Sequence, residues 1–413
     1  MRAEVRASLK ALLIRVSRAV WRYPLDRAAT VDLLLRAVVW REPPAAFDFP
    51  ALPSTSGNVF PYFLARSARL DPNYVWDLRA GEHVRSIRIC RSGTVCVDRK
   101  FLLNLDFGAT PGILEPPFAR SKGSLPIAIV PWSHRYGTYH DYVMFVLTKL
   151  CRIQEHIGRD IWQKALVCYP LFRTAFEREF LAALGIPGQN VVDTGGWRGS
   201  VEADRVLLAN NQPWFTPSPQ DLARLRRRFC SPAPARPERR LYVARAHRRR
   251  VRNEAAAREV LRHFGFEVVE DRPRTVEEQV RLFQEASVVV GPHGAGLTNI
   301  IWCEPGAQVL EMFHHRFAPP YFCYLSALLG HSYQYIVDGP PPRRRRARSH
   351  DSDQISPPIH PAGNGLSATL LAHATDDMDV DIDDLERALR QCSRSRPVIP
   401  RSTSWSASRA TTK

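Results

Sequence analysis

Hydrophobic positions along the chain follow two periodicities. Between about residues 120 and 215, short apolar runs such as "SLPIAIVPW" (Ser124 to Trp132), "KALVCYP" and "QNVVDTG" read as buried strands. "YHDYVMFVLTKLCRIQEH" and "LFRTAFEREFLAALGI" lie between them, with apolar residues spaced by three and four, and Gly185 closes the second. The pattern restarts after the proline-rich "CSPAPARPERR". "RRLYVAR" predicts a strand, "NEAAAREVLRHFG" a helix, "FEVVE" a strand, and "TVEEQVRLFQEA" a helix whose Thr275 and Glu278 form a capping box. "SVVV" and "AQVLEMF" are further strands, separated by a glycine loop and a helix start. Strands alternating with helices, without hairpins, predict parallel α/β units, so the chain carries two of them.

From Val59 to Phe107, alternating runs such as "VRSIRICRSGTVCVDRKFLLNLDF" predict antiparallel strands with a turn at Ser92-Gly93. The expected division is 1–42, a helical amphipathic segment; 43–229, an α/β domain that includes the antiparallel strands and opens on a Pro/Ser loop, Pro43 to Gly57; and 230–339, a Rossmann-like domain. After these come 340–376, a basic linker whose composition predicts disorder; 377–392, a closing helix; and 393–413, a disordered tail.

At 413 residues and 45% hydrophobic the chain has enough apolar material for such cores, and its net charge of +17 favours an anionic partner. Basic clusters fall at Arg226–Arg228, Arg239–Arg252 and Arg343–Arg348. None of the eight cysteines forms a C-x-x-C pair or a zinc-spaced Cys/His cluster, which suits reduced thiols in a cytoplasmic protein. No run approaches the roughly 18–20 apolar residues of a membrane span. The first 22 residues read as a basic amphipathic helix, either docked on its own domain or resting peripherally on an anionic leaflet.

Two stretches carry candidate chemistry. "SVVVGPHGAGLTNIIW" places Gly291, Gly294 and Gly296, with His293 among them, between a strand and a helix start. Helix-start amides at a strand's carboxyl end suit a phosphate; the bland alternative is a glycine turn that packs helix on strand. The order G-x-x-G-x-G is reversed from the dinucleotide fingerprint, so an NAD oxidoreductase fits poorly. "YVARAHRRRVRNE" puts Arg245 directly after a strand, then Arg248, Arg249 and Arg250, with Asn253 and Glu254 at a helix start. That is a diphosphate clamp by type, or a solvated basic loop. A nucleic-acid binder is the remaining alternative, but Arg343–Arg348 has no interleaved aromatics and no recognisable module around it.

These two stretches, with the sequence between them, resemble the bacterial branch of glycosyltransferase family 61 over about residues 240–340, with a weaker match upstream through "GTYHDYVMFVLTKL". The resemblance implies a GT-B fold, with two Rossmann-like domains facing a cleft and the nucleotide sugar in the C-terminal one. It further implies inverting transfer from a nucleoside-diphosphate sugar, UDP by preference, to a glycan or lipid-linked acceptor of a surface polysaccharide. No metal or other cofactor is implied. Localisation would be cytoplasmic, peripheral on the inner face of the plasma membrane, with no nucleic-acid partner.

By this resemblance Arg245 and Arg250 match arginines preceding Asn253-Glu254, and Gly291, His293, Gly294, Gly296, Thr298 and Asn299 match the glycine-loop motif. Gln279 matches a residue of the preceding helix, Glu311 an acid at the last strand's end, and His140 a histidine on the first long helix. Diphosphate charge would fall to Arg245, Arg250 and the amides from Gly294 through Ala295 to Gly296; the ribose would fall to Glu311. His140, beside Asp141, is the candidate base, with His293 as a second candidate or a contact to the leaving group. Asp141, Tyr142, Ala244 and Glu304 depart from the family pattern. Two D-x-D spacings, at Asp351/Asp353 and Asp381/Asp383, stand where a metal is not expected.

Overall fold

The computed structural model describes residues 12, 24–43, 45–48, 67–70, 72–106, 123–131, 137–211, 217–232, 236–315, 317–319, 321–338 and 375–394. The N-terminal amphipathic stretch, apart from residue 12, therefore lies outside the described residues. So do nearly all of the 340–376 linker, with Asp351 and Asp353, and the tail beyond residue 394. The chain forms two compact units, the first running to Arg228 and the second starting at Phe229.

In the first unit, helix α1 (Arg27–Leu34) is capped by Asp26, whose side chain accepts from Ala29 N. Strand β1 (Val38–Arg41) follows. Helix was expected through residue 42. Instead Val38, Trp40 and Arg41 pair antiparallel with β2 (Tyr74–Arg79), with an irregularity at Val39, in a stretch whose β-branched and aromatic residues suit a strand. The loop expected over Pro43–Gly57 likewise contains a strand, Ala45–Asp48, paired with Ser67–Leu70.

The remaining strands are β3 (Ile87–Ile89), β4 (Val95–Val97), β5 (Lys100–Phe101), β6 (Ser124–Val130), β7 (Leu166–Tyr169), β8 (Val191–Asp193) and β9 (Val201–Ala209). They order as β8-β7-β6-β9-β3-β4-β5, with β2 also on β9 and β1 on β2. β6 to β9 are mutually parallel where they pair, whereas β2, β3, β4 and β5 join antiparallel. The β3–β4 turn uses Gly93 at φ +77.

The first long helix starts as Tyr139–Asp141, widens to a π-helical stretch, Tyr142–Leu147, and continues as Thr148–Ile157; the whole is α2. All six residues of the π stretch are buried. The Met144 carbonyl inside it accepts from both the Thr148 hydroxyl and the Asn211 amide, at 2.7 Å each, the kind of side-chain insertion that distorts a helix. Below it α2 turns polar inside the core. Arg152, fully buried, is held by Asp221, by the Asn210 carbonyl and by Asn211 Oδ1 at 3.1 Å. Asp221, on α3 (Pro219–Phe229), also takes Arg224 at 2.9 Å and Asn73 at 3.3 Å.

The second unit is a five-stranded, wholly parallel sheet. Its strands are β10 (Arg239–Val243), β11 (Glu267–Val269), β12 (Ala286–Pro292), β13 (Gln308–Phe313) and β14 (Ser332–Val337), ordered β11-β10-β12-β13-β14. In chain order that is 2-1-3-4-5, a doubly wound arrangement whose switch point lies between β10 and β12. Helix α4 (Glu254–His263) follows β10, and α5 (Val276–Gln284) carries the Thr275/Glu278 capping box.

The closing helix α6 spans Ile382–Arg394, not 377–392. Asp381 starts it by accepting from Asp383 N and Asp384 N at 3.0 Å each. Residues 377–380 ahead of it lie extended against Arg250–Asn253: Arg252 N donates to Met378 O at 2.8 Å and Met378 N to Arg250 O at 2.9 Å. Leu385, Ala388 and Leu389 of α6 join the core of Tyr242, Ala257 and Leu261. No helix of the described residues is long and apolar enough to cross a membrane.

Removing a carboxylate that holds two buried guanidinium groups strands their charges. Asp221→Ala is therefore expected to cost about 3–5 kcal/mol of stability, read as a fall in denaturant midpoint; a loss under about 1 kcal/mol would contradict this account.

Candidate functional site

The ends of β10 and β12 converge at the switch point of the second unit. β10 runs out at Val243 and Arg245 follows. β12 runs out at Pro292, then His293 and Gly294 lead into a 3-10 helix, Ala295–Trp302. The helix start expected there is present, in 3-10 form. The tighter turn goes with Asn299 Nδ2, which donates back to Gly296 O at 3.0 Å, and with the β-branched Thr298, Ile300 and Ile301.

Each glycine of the loop clears a different obstacle. A Cβ on Gly291 would lie 3.0 Å from the Val243 carbonyl oxygen, and one on Gly296 2.9 Å from Val243 Cγ1. These two let β10 and the loop pack, as the bland reading of the motif required. A Cβ on Gly294 would lie 1.3 Å from Arg245 Nη1, so that glycine makes room for a guanidinium. Arg245 reaches across it to donate to the His293 carbonyl at 3.4 Å, while its Nε donates to Arg248 O at 2.9 Å. Burial lowers the Arg245 pKa, with Asp271 pulling the other way. As the first positions of the 3-10 helix, Ala295 and Gly296 present N–H groups with no partner inside it.

Behind the loop, His293 is buried, with its Nδ1 2.5 Å from Glu311 Oε1. The other Glu311 oxygen accepts from the Tyr333 hydroxyl. Burial pushes Glu311 well above the usual carboxylate range, against the pull of Tyr333 and Arg249. Rings of Phe313, Phe317, Tyr321 and Phe322 surround the imidazole at 5.4–5.9 Å. Glu311 is fully buried with both oxygens engaged, so it braces His293 from below and does not face solvent as a ribose acceptor would. Tyr333, on β14, gave no sign of this in the sequence.

Other residues singled out from the sequence brace the same frame. Gln279 Nε2 donates to Asn299 Oδ1 at 2.8 Å, and Trp302 Nε1 donates to the same oxygen at 3.1 Å. Thr298 is fully buried. Arg250 pairs with Asp377 at 2.9 Å, and Asn253 makes two hydrogen bonds with the Val380 backbone, at 2.7 and 2.9 Å. Arg250 and Asn253 thus hold the strap at 377–380.

In the first unit, His140 and Asp141 open α2. Asp141 accepts from Thr138 N at 3.1 Å and Thr138 Oγ1 at 2.6 Å, which makes it the capping-box acid. His140 packs edge-on to Phe145 at 6.2 Å; burial lowers its pKa and Asp141 partly opposes this.

Among the described residues, His314, His315 and Asp338 form a grouping with metal-ligand atoms within 4.8 Å of one another. Asp338 Oδ1 already accepts from His315 N at 2.7 Å and lies 2.9 Å from His315 Nδ1. Asp381 caps α6, as described above.

The glycine geometry separates packing from function. Gly291→Ala presses on backbone and is expected to cost about 1–3 kcal/mol. Gly294→Ala displaces only a side-chain end, so its melting temperature should stay within about 2–4 °C of wild type while Arg245 moves; equal destabilisation by both would refute the distinction. For Glu311 the raised folded pKa favours the protonated carboxyl in the fold. Its contribution to stability is present at low pH and lost as pH climbs through that pKa. Glu311→Gln is neutral throughout, so the wild type should lose more melting temperature than the variant between about pH 6 and about pH 9; parallel curves would show that Glu311 does not titrate there.

Comparison with known proteins adds two findings. A beta-1,2-xylosyltransferase, RCN11, of Oryza sativa subsp. japonica is 45% identical over 51 residues, 12% of this chain and 10% of that protein. A beta-1,2-xylosyltransferase of Arabidopsis thaliana is 42% identical over 48 residues, 12% of this chain and 9% of that protein. The matched stretch thus spans about a tenth of either relative. The family described as "Glycosyltransferase 61" matches residues 94–310, which covers over half of the chain and runs from β4 to β13. With strands β10 to β12 and the glycine loop inside that match, the chain belongs to glycosyltransferase family 61.

Proposed function

We propose that the protein is an inverting glycosyltransferase that takes a sugar from a nucleoside diphosphate, UDP by preference, and moves it to a hydroxyl of a glycan or lipid-linked acceptor. The observation that carries this reading is Arg245 laid across Gly294 at the switch point, beside the first amides of a helix. A guanidinium and helix-start N–H groups at one place suit a diphosphate, and no bound metal enters the scheme.

In this reading the two units act as the halves of a GT-B enzyme, the second holding the donor and the first the acceptor. Transfer is one displacement. A base removes the acceptor hydroxyl proton, that oxygen bonds to the anomeric carbon, and the nucleoside diphosphate leaves with the electron pair of the broken bond. Arg245 and the Ala295 and Gly296 amides stabilise the growing charge. His140 is the proposed base: its lowered pKa keeps the imidazole neutral and able to accept a proton near pH 7. Asp141 orders the helix start that carries it. His293, locked by Glu311 and its ring of aromatics, fixes the loop. Surface-polysaccharide synthesis on the inner face of the plasma membrane is the proposed setting, and the net charge of +17 supports contact with an anionic surface. Both relatives are named for β-1,2-xylosyl transfer, so UDP-xylose belongs among the first donors to test.

UDP is expected to raise the melting temperature and NAD to leave it unchanged. With a matching UDP-sugar and no acceptor, slow release of UDP and free sugar is expected. Arg245→Ala should cut that turnover about a hundredfold or more. His293→Gln, chosen because alanine would open the aromatic cage, should also lower it. Stabilisation by NAD alone, or wild-type turnover in Arg245→Ala, would defeat the proposal.

A further inference from the structure

Of the arginines that follow β10, Arg248 and Arg250 are exposed, whereas Arg245 and Arg249 are turned inward. Arg249 adopts φ +58, a left-handed backbone unfavourable for a residue with a Cβ. Its guanidinium lies over the Phe317 ring, 5.6 Å from the centroid, and that ring packs on His293 at 5.6 Å. Its Nε is buried and meets no hydrogen-bond partner among the described residues. Burial, and then the charge of Arg245, lower its pKa to about 10. The carboxyl that acts on it is Glu311, which burial keeps towards its protonated form and whose oxygens are taken by His293 and Tyr333. A strained backbone, an unused donor and two like charges with little to neutralise them are all costs in the unliganded protein. A bound anion between them removes the last two.

We propose that Arg249 is the second phosphate-binding guanidinium of this site, paired with Arg245, and that Arg250 is not. Phe317 supports the flat face of the Arg249 group and leaves its N–H edge for a phosphate oxygen. Arg250, by contrast, spends its side chain on Asp377. This inference rests on the reading of the site as a diphosphate cradle and assigns which neighbour of Arg245 completes it.

The test is titration of the full-length protein with inorganic pyrophosphate and with UDP, alongside thermal melts. Arg249→Gly removes the guanidinium and relieves the left-handed strain, so the variant should melt at or above the wild-type temperature. It should bind both probes about tenfold or more weakly, the loss of one charge-assisted contact. Arg249→Gly binding within about threefold of wild type, or a larger loss from Arg250→Ala, overturns the assignment. A wild-type protein that binds neither probe overturns the cradle itself, and this inference with it.

Discussion

Two adjacent parallel strands, β10 and β12, end side by side, and the space between their ends admits almost no side chain. Val243 fills it from one strand, so the loop leaving the other must lack Cβ atoms at Gly291 and Gly296. Most of the second unit depends on this fit. It sets how deep the loop sits, and hence that His293 is carried down to Glu311 and Tyr333 while the guanidinium of Arg245 passes over Gly294. The same crowding brings positive charge to the carboxyl edge of the sheet, where a doubly wound fold has its crevice. Packing and anion recognition are one constraint at this point of the chain.

The elements with local causes were legible in the sequence. Four of the five parallel strands of the second unit announce themselves as short apolar runs between helical stretches, while β14, "SYQYIV", does not; the Thr275–Glu278 capping box and the turn at Gly93 sit where their residues require. Val38–Arg41 was not legible, because its strand exists through pairing with Tyr74–Arg79 and not through any local signal. The closing helix and its cap region near Asp381 were legible, whereas the extended 377–380 ahead of it was not, since it is fixed by residues 127 positions earlier.

The candidate site divides in the same way. Arg245 and the glycines followed from strand-end and loop chemistry. What each glycine does was not legible, because it depends on which side chain of a neighbouring strand comes closest. Three consecutive arginines, Arg248 to Arg250, are alike on paper; the backbone turns the middle one in and leaves the outer two exposed. Tyr333 lies on a strand the sequence reading did not pick out, and only the fold brings its hydroxyl to Glu311. The polar core of the first unit, Arg152 with Asp221, Asn210 and Asn211, joins residues 58 to 69 positions apart and leaves no periodic trace.

The anchoring of the strap has a bearing on the connection it closes. The chain leaves β14 at Asp338, and Asp379 N, 41 positions later, donates to Asp338 Oδ2 at 3.4 Å. Arg250, Arg252 and Asn253 fasten the returning end independently of what lies between. For a connection whose two ends are both fixed, each doubling of length costs only about 0.6 kcal/mol of closure entropy. The anchors at Asp338 and Asp377–Val380 therefore set where the chain leaves and rejoins the sheet while placing little restraint of their own on the length of the connection they close.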